Sequence, residues 1–210
     1  MEQTEGDFID NELPYDVKGY LLPSKQTEIT TEIVSMVEGV VNRLEGNTIQ
    51  KAQQILEIMK TYSSKEEFNE EEFRKRTASE IIKSGYYTGC TDFALAFTLL
   101  ARKAKIPTMY VETVSEEWLK HGGDSYGGHV YAKIYDSEKN EWIWVDPMQR
   151  EVPSTPPDNP TPEQEKRRGK RIILAEGKDS WDIGISDFTS LKEKFNTFRN
   201  EWNSKRDLSN

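Results

Sequence analysis

Cysteine is nearly absent from this sequence, since Cys90 is the only one among 210 residues. A single thiol cannot form an internal disulfide, and it cannot supply the thiolate cluster of a structural zinc site. Histidine is scarce as well, with His121 and His129 as the two examples. We therefore expect no bound metal, and no feature of the sequence indicates another cofactor.

Long hydrophobic runs and an excess of positive charge are also missing. No apolar stretch approaches the roughly 18–20 residues that a membrane span needs. The net charge of −9, from 28 basic and 37 acidic residues, disfavours binding to nucleic acid or to an anionic membrane. The first seven residues lack the basic start and apolar core of a signal peptide. We expect a reducing, cytoplasmic location, and the sequence leaves the oligomeric state open.

The chain is long enough for one domain with a substantial core. Acidic residues and interrupting Pro and Gly near the N-terminus indicate a loosely ordered arm, with Phe8, Leu13, Tyr15 and Tyr20 able to dock on the body. The predicted organisation is an arm (1–25), a catalytic core with N-terminal helices (26–150), a Pro-rich and basic exposed connection (151–171), and a C-terminal strand and helix packed on the core (172–210).

Hydrophobic periodicity predicts the secondary structure. Helical spacing of apolar residues alternates with short β-branched runs, and the fold class is therefore predicted to be α+β. The predicted helices are 26–44, 48–62, 63–83 (mostly solvated), one that follows Cys90 and is apolar nearly all round, and 188–202. The predicted strands are 108–114, 129–135, 141–147 and 172–175, and 115–128 is predicted to be a loop.

Cys90 is predicted to lie in the first turn of a buried helix, with Thr88 or Gly89 as the N-cap. Unsatisfied backbone N–H groups and the helix dipole favour negative charge there, which lowers the pKa of a thiol. A lone cysteine is nevertheless most often a small buried apolar residue, and the carboxylate of Asp92 disfavours a thiolate. Partners elsewhere in the chain decide between the two interpretations.

The predicted hairpin offers two such partners. If its loop is 137–140, the numbers of paired residues sum to 277, and His129 projects from the same face as Asp146. The two are then diagonal neighbours about 7–8 Å apart at the backbone, a gap that their side chains can bridge. We expect this face to pack against the Cys90 helix, with an aliphatic face on the other side: Val130, Ala132, Ile134, Ile143 and Val145.

These residues form a candidate catalytic triad for acyl transfer. Cys90 would be the nucleophile, His129 the base and then the acid, and Asp146 the group that orients the imidazole. Each residue also has a simpler, non-catalytic interpretation. Asp146 could only start a turn, and His129 could be an ordinary strand residue. His121 is expected to be exposed and to take no part in the site. The backbone N–H of Cys90 and one further donor would hold the oxyanion. The candidates for that donor are Tyr62, Tyr86, Tyr87 and Gln54, and the substrate-cleft candidates are Gly128, Tyr131 and Trp144.

The motifs resemble those of the transglutaminase-like superfamily, whose members share a papain-like core, over roughly residues 48–147. The resemblance implies Cys90, His129 and Asp146 as the triad and 48–62 as the family's leading helix. The chain has no room for the extra β-domains of the large cross-linking members, and it lacks the zinc-binding cysteine pairs of glycan-removing members. The matching segments are Gly89-Cys90-Thr91-Asp92-Phe93-Ala94, Lys105-Ile106-Pro107-Thr108-Met109-Tyr110-Val111, Gly128-His129-Val130-Tyr131-Ala132 and Trp144-Val145-Asp146-Pro147.

The combined interpretation is a stand-alone thiol hydrolase, a peptidase or amidase, that acts on a peptide or protein substrate through a Cys90 thioester. Two alternatives remain at this point. Transglutaminase-type transfer of the same acyl group to an amine shares the chemistry up to the thioester. A non-catalytic interaction domain could retain the triad with its cleft closed by the acidic arm or the 115–128 loop.

Overall fold

The computed structural model describes residues 13–64 and 70–208. Phe8, predicted to dock, and Phe68, predicted to lie in a helix, fall outside the described residues. None of the helices described is both long and apolar enough to traverse a membrane. The helices are α1 (Tyr15–Lys18), α2 (Val34–Val41, after a 3-10 turn at Thr31–Ile33), α3 (Thr48–Met59), α4 (Ala78–Ser84), α5 (Cys90–Lys103), α6 (Glu116–His121), α7 (Pro162–Arg168) and α8 (Phe188–Asp207). The strands are β1 (Ser63–Ser64), β2 (Tyr86–Tyr87), β3 (Thr108–Ser115), β4 (His129–Asp136), β5 (Glu141–Val145) and β6 (Arg171–Gly177).

The main sheet has four antiparallel strands in the order β5-β4-β3-β6. The hairpin of β4 and β5 has the predicted register, because Lys133 pairs with Trp144 and Tyr135 pairs with Trp142. A short parallel pair, β1 and β2, precedes α5. Helices packed on an antiparallel sheet confirm the predicted α+β class.

The helix α5 is the centre of the core, as its nearly uniform apolar composition predicts. Every residue from Thr91 to Arg102 is buried. The aliphatic face of the sheet belongs to the same core as this helix. The buried aliphatic sheet residues in that core are Val114, Val130, Ala132, Ile134, Ile143 and Val145.

The prediction of which sheet face meets α5 was therefore wrong. The opposite face, which carries Tyr131 and Trp144, forms its own cluster with Tyr20 of the N-terminal segment. His129 and Asp146 still reach the start of α5 because of where their strands begin and end. His129 is the first residue of β4 and Asp146 follows the last residue of β5, so both stand at one end of the sheet.

The described part of the predicted N-terminal arm lies on the sheet. Leu13 and Val17 are buried against Tyr135, and the ring of Tyr20 meets Trp142 edge-on at 5.5 Å. Tyr15, which was also expected to dock, is 95% exposed. This segment covers the aromatic sheet face that the helix leaves open.

Four predicted segments differ from the structure in their secondary structure. In 26–44 the helix begins only at Val34, and the backbone of Gln26 makes bonds outside any helix: its N–H donates to Asp179 and its carbonyl accepts from Ala78. In 63–83 the described helix is limited to Ala78–Ser84, which starts at a capping box of Thr77 and Glu80. The 115–128 loop contains α6, and the 151–171 connection contains α7. Capping groups, Ser115 for α6 and Thr161 with Gln164 for α7, explain both short helices.

A buried ion pair lies inside this core. The guanidinium of Arg74 binds the carboxylate of Glu112 through two N–H groups, at 2.7 and 3.0 Å, and both side chains are almost fully buried. The same guanidinium also donates to the hydroxyls of Tyr110 and Ser180. The pair joins the segment before α4 to the middle of the central strand β3.

Replacing Glu112 by Gln should lower the free energy of unfolding by about 3–5 kcal/mol, because Arg74 would remain buried without a counter-charge. Urea unfolding measures this loss. Glu57→Gln is the matched control, since the Glu57–Lys60 pair is solvent-exposed and should contribute less than about 0.5 kcal/mol. Equal losses of unfolding free energy in the two variants would contradict the conclusion that the buried Arg74–Glu112 pair stabilises the fold more than an exposed pair does.

Candidate active site

Cys90 is the first residue of α5 and is half-buried. The preceding turn is fixed by Asp92, whose carboxylate accepts bonds from the backbone N–H and the hydroxyl of Thr88 at 3.0 and 2.8 Å. Arg76 binds the same carboxylate at 2.7 Å. The negative charge of Asp92, which would disfavour a thiolate, is therefore neutralised by a bonded cation.

His129 connects the thiol to the carboxylate. Its Nε2 lies 3.0 Å from Oδ2 of Asp146, and its ring is close enough to the Cys90 thiol for each group to shift the pKa of the other. Because Asp146 engages Nε2, Nδ1 is the ring nitrogen available to the thiol. The ring of Tyr131 supports the imidazole edge-on at 4.9 Å. The three residues of the predicted triad are thus brought together.

The carboxylate of Asp146 is completely buried. Its Oδ1 accepts the backbone N–H of Gln149 at 3.1 Å, so the residue does start a turn, the simpler of its two interpretations. Its Oδ2 faces both His129 and Arg168, each at 3.0 Å. One side chain therefore holds the turn and orients the imidazole.

The pKa values of the thiol and the imidazole move in opposite directions. Burial raises the pKa of Cys90, but the hydrogen bond and the charge of His129 outweigh burial and bring it below its ordinary value. Burial lowers the pKa of His129, but its bonds to Asp146 and Cys90 outweigh burial and raise it to about 9. Near neutral pH both shifts favour a thiolate–imidazolium pair.

Arg168, the last residue of α7, is a member of the site that the sequence analysis missed. Its guanidinium binds Oδ2 of Asp146 at 3.0 Å and Oε1 of Glu151 at 2.9 Å. The sequence predicts the basic segment around it, within 151–171, to be an exposed connection. The only available signal was the proximity of that segment to the Asp146 turn in the sequence, and it does not identify which arginine turns inward.

A cavity of about 550 Å³ opens beside Cys90. One wall comes from α5 and the turn before it, and another comes from the 124–128 segment. The third wall comes from α8, whose place in the site the sequence does not reveal. The lining residues are Phe73, Arg74, Thr88, Gly89, Cys90, Thr91, Asp92, Asp124, Ser125, Tyr126, Gly127, Gly128, Phe188 and Leu191.

Among the cleft candidates from the sequence, Gly128 lines this cavity. Tyr131 and Trp144 lie on the opposite sheet face, edge to face at 5.9 Å. None of the oxyanion candidates lines the cavity. The amide of Gln54 binds the backbone of Glu45 at both ends. The three tyrosines pack elsewhere: Tyr62 against Tyr87, Tyr87 on Phe93, and Tyr86 under the guanidinium of Arg76.

His121 lies apart from the triad in α6, with an exposed side chain beside Glu117. Within residues 13–64 and 70–208, no group of three or more His, Cys, Asp or Glu side chains could hold a metal ion. The groups that the structure brings together at Cys90 are a thiol, the imidazole of His129 and the carboxylate of Asp146.

Comparison with known proteins places this arrangement in a family. The sequence model of the transglutaminase-like superfamily matches residues 35–147, more than half of the chain. The chain belongs to the transglutaminase-like superfamily. This superfamily is one of thiol enzymes, and the match spans α2 through Asp146, including all three residues of the triad. A comparison with curated proteins gave no match.

A solved structure supports the fold. It is the "Putative Cysteine Protease from Cytophaga hutchinsonii", with a TM-score of 0.57 and 18% sequence identity. The similarity covers 82% of this chain and 50% of that protein, so the chain corresponds to about half of its length. The predicted transglutaminase-like, papain-like core is confirmed by the family and by this neighbour together.

Replacing Arg168 by Met should raise the pKa of His129 by about half a unit, because a cation close to the imidazolium disfavours protonation of the ring. Histidine-selective NMR can follow this titration, since the chain has only two histidines and the other, His121, is exposed. An unchanged or lowered pKa of His129 would show that Arg168 does not act on the triad.

Arg167→Met is the matched control for this measurement. Arg167 precedes Arg168 on the same helix and binds Glu151 at 3.0 Å, but its side chain is 57% exposed. Arg167 binds Glu151 and not Asp146, so its loss should leave the His129 titration within about 0.1–0.2 unit of the wild type, because exposed charges are well screened.

Proposed function

We propose that this protein is a thiol-dependent amide hydrolase, a peptidase or amidase that works through a thioester on Cys90. The observation that carries the proposal is the position of His129, which binds Asp146 and interacts with the Cys90 thiol, while that thiol opens onto a cavity. A structural cysteine needs neither a bonded imidazole nor a route to solvent. Membership of a thiol-enzyme superfamily supports the same proposal.

The chemistry follows from the positions of the three groups. The Cys90 thiolate attacks the amide carbonyl carbon, and the carbonyl electron pair moves onto oxygen. The His129 imidazolium gives its proton to the departing amine as the C–N bond breaks, which leaves a thioester. The neutral imidazole then takes a proton from water, whose oxygen attacks the thioester and releases the acid and the thiol. Asp146 orients the ring and stabilises its cation throughout.

The start of α5 provides a natural place for the oxyanion. The backbone N–H groups of the first helical turn have no partner within the helix, and the dipole there favours developing negative charge. We assign the N–H of Cys90 as one donor. The second donor is not assigned, because Tyr62, Tyr86, Tyr87 and Gln54 all pack away from the cavity lining.

We propose a peptide or protein as the substrate and the cytoplasm as the location. A cavity beside the nucleophile suits a chain that presents one side chain at a time. A lone reactive thiol keeps its reduced form in a reducing compartment, whereas oxidising compartments convert such thiols to disulfides or oxyacids.

Cys90 should react with iodoacetamide about tenfold faster than a free cysteine between about pH 6 and 7. Its lowered pKa keeps more thiolate than an ordinary thiol with a pKa of about 8.5, so the rate falls only when the pH passes below the depressed value. Intact mass spectrometry can measure this, because the chain has a single cysteine. His129→Ala should remove the advantage and Asp146→Asn should reduce it. A wild-type rate equal to that of the free thiol would refute the ion pair.

Hydrolysis is tested with a mixture of unfolded proteins in water enriched in oxygen-18, with a fluorescent primary amine as a competing acceptor. We expect the label in new carboxylates, and we expect Cys90→Ala to abolish it while the variant unfolds at the wild-type temperature. Attachment of the amine in place of water would identify an acyltransferase. A reactive Cys90 with neither product would instead favour an interaction domain that retains the triad.

A further inference from the structure

The cavity beside Cys90 has an apolar floor and walls beyond the triad. Phe73 comes from the segment before α4, Tyr126 from the segment between α6 and β4, and Phe188 and Leu191 from the first turn of α8. We infer that this cavity is the subsite for one uncharged side chain of the substrate, either aromatic or bulky and aliphatic. The inference rests on the proposed function, since it assigns the substrate class to the same nucleophile.

The aromatic residues of the wall support one another. The ring of Phe188 meets Phe73 edge-on at 5.6 Å and Tyr126 edge-on at 6.3 Å. Tyr126 is held in turn by Trp118 at 5.2 Å and by Phe195 at 6.0 Å. Edge-to-face packing of this kind fixes the rings, so the cavity has a defined shape before substrate arrives. Its volume of about 550 Å³ lies within the range of ligand pockets that are lined mostly by apolar and aromatic side chains.

The buried charges of the wall already have partners. Arg74 is bonded to Glu112, and Asp92 is bonded to Arg76. A charged substrate group that entered would lose its hydration and meet ion pairs that are already formed, and such desolvation is costly. Asp124 lies at the exposed rim, where charge is screened by solvent. The electrostatics of the interior therefore select against charged side chains.

Space is available directly at the nucleophile. A Cβ built on Gly89, the residue before Cys90, would meet no atom within 4 Å. Gly89 also lines the cavity, so the open volume continues from the thiol to the aromatic wall. A substrate carbonyl at Cys90 can thus place an adjacent side chain in the cavity, against the wall that Phe73, Tyr126 and Phe188 form.

The test uses a matched set of peptide-like acyloxymethyl ketones, in which a thiolate displaces a carboxylate and forms a thioether. The compounds differ only in the side chain next to the ketone: phenylalanine, leucine, alanine, glutamate or lysine. We expect second-order labelling of Cys90 to be about 10- to 100-fold faster with phenylalanine or leucine than with alanine. Glutamate and lysine should react no faster than alanine. Equal rates across the set, or faster labelling by a charged member, would overturn the inference.

Variants of α8 test whether the cavity wall causes the preference for phenylalanine and leucine. Phe188→Ala removes a wall ring, and Leu191→Trp fills the cavity, so each should reduce the preference for phenylalanine at least tenfold. Leu208→Trp is the matched control, because Leu208 is 88% exposed at the end of the same helix and should keep the wild-type preference. A preference that survives both wall variants, with folding confirmed by thermal unfolding, would place the subsite elsewhere. If a wall variant does not fold, the wild-type series decides the outcome.

Iodoacetamide separates this inference from the proposed function. It is small enough to reach Cys90 without occupying the cavity, so its rate reports the ion pair alone. Slow alkylation of the wild type would refute the proposed function and the subsite with it. Fast alkylation with no preference among the ketones would refute only the subsite.

Discussion

The buried carboxylate of Asp146 is the group on which the arrangement depends. It receives a backbone N–H from its own turn, an imidazole from β4 and a guanidinium from the end of α7. An unpaired carboxylate at this depth would be costly, so these three parts of the chain must assemble around it together. The interaction that orients His129 is therefore also one that fixes the local fold.

Arginine side chains make the surroundings of Cys90 compatible with a thiolate. Two carboxylates stand near the thiol, Asp92 in the first helical turn and Glu112 on the central strand. The charge of Glu112 raises the pKa of Cys90, and the charge of Arg74 lowers it. Asp92 is also paired with an arginine, Arg76, through one guanidinium nitrogen, whereas Arg74 binds Glu112 through two. The two pairs leave His129 as the partner whose charge lowers the thiol pKa most strongly.

Sequence reasoning succeeded where one local pattern has one geometric consequence. The odd pairing sum of the β4–β5 hairpin follows from alternation, and the burial of α5 follows from its composition. It failed where the outcome depends on distant partners. The prediction of which sheet face meets α5 was wrong, because both faces are apolar enough to be buried. The N-terminal segment packs on one face, and α5 packs on the other. Arg168 and Arg74 were missed because a charged residue in a charged segment has no local sign of an inward-facing partner.

The triad and part of the cavity wall come from different ranges of the chain. The residues of the triad lie within 35–147, where the superfamily model matches. Arg168, Phe188 and Leu191 lie outside that match, yet the first binds Asp146 and the other two close the cavity. Because His129 and Asp146 stand at one end of the sheet and meet Cys90 at the start of α5, segments that follow the matched range in sequence can reach the site. In the function that we propose, the matched range therefore supplies the triad, and the segments that follow it in sequence line the cavity that receives the substrate side chain.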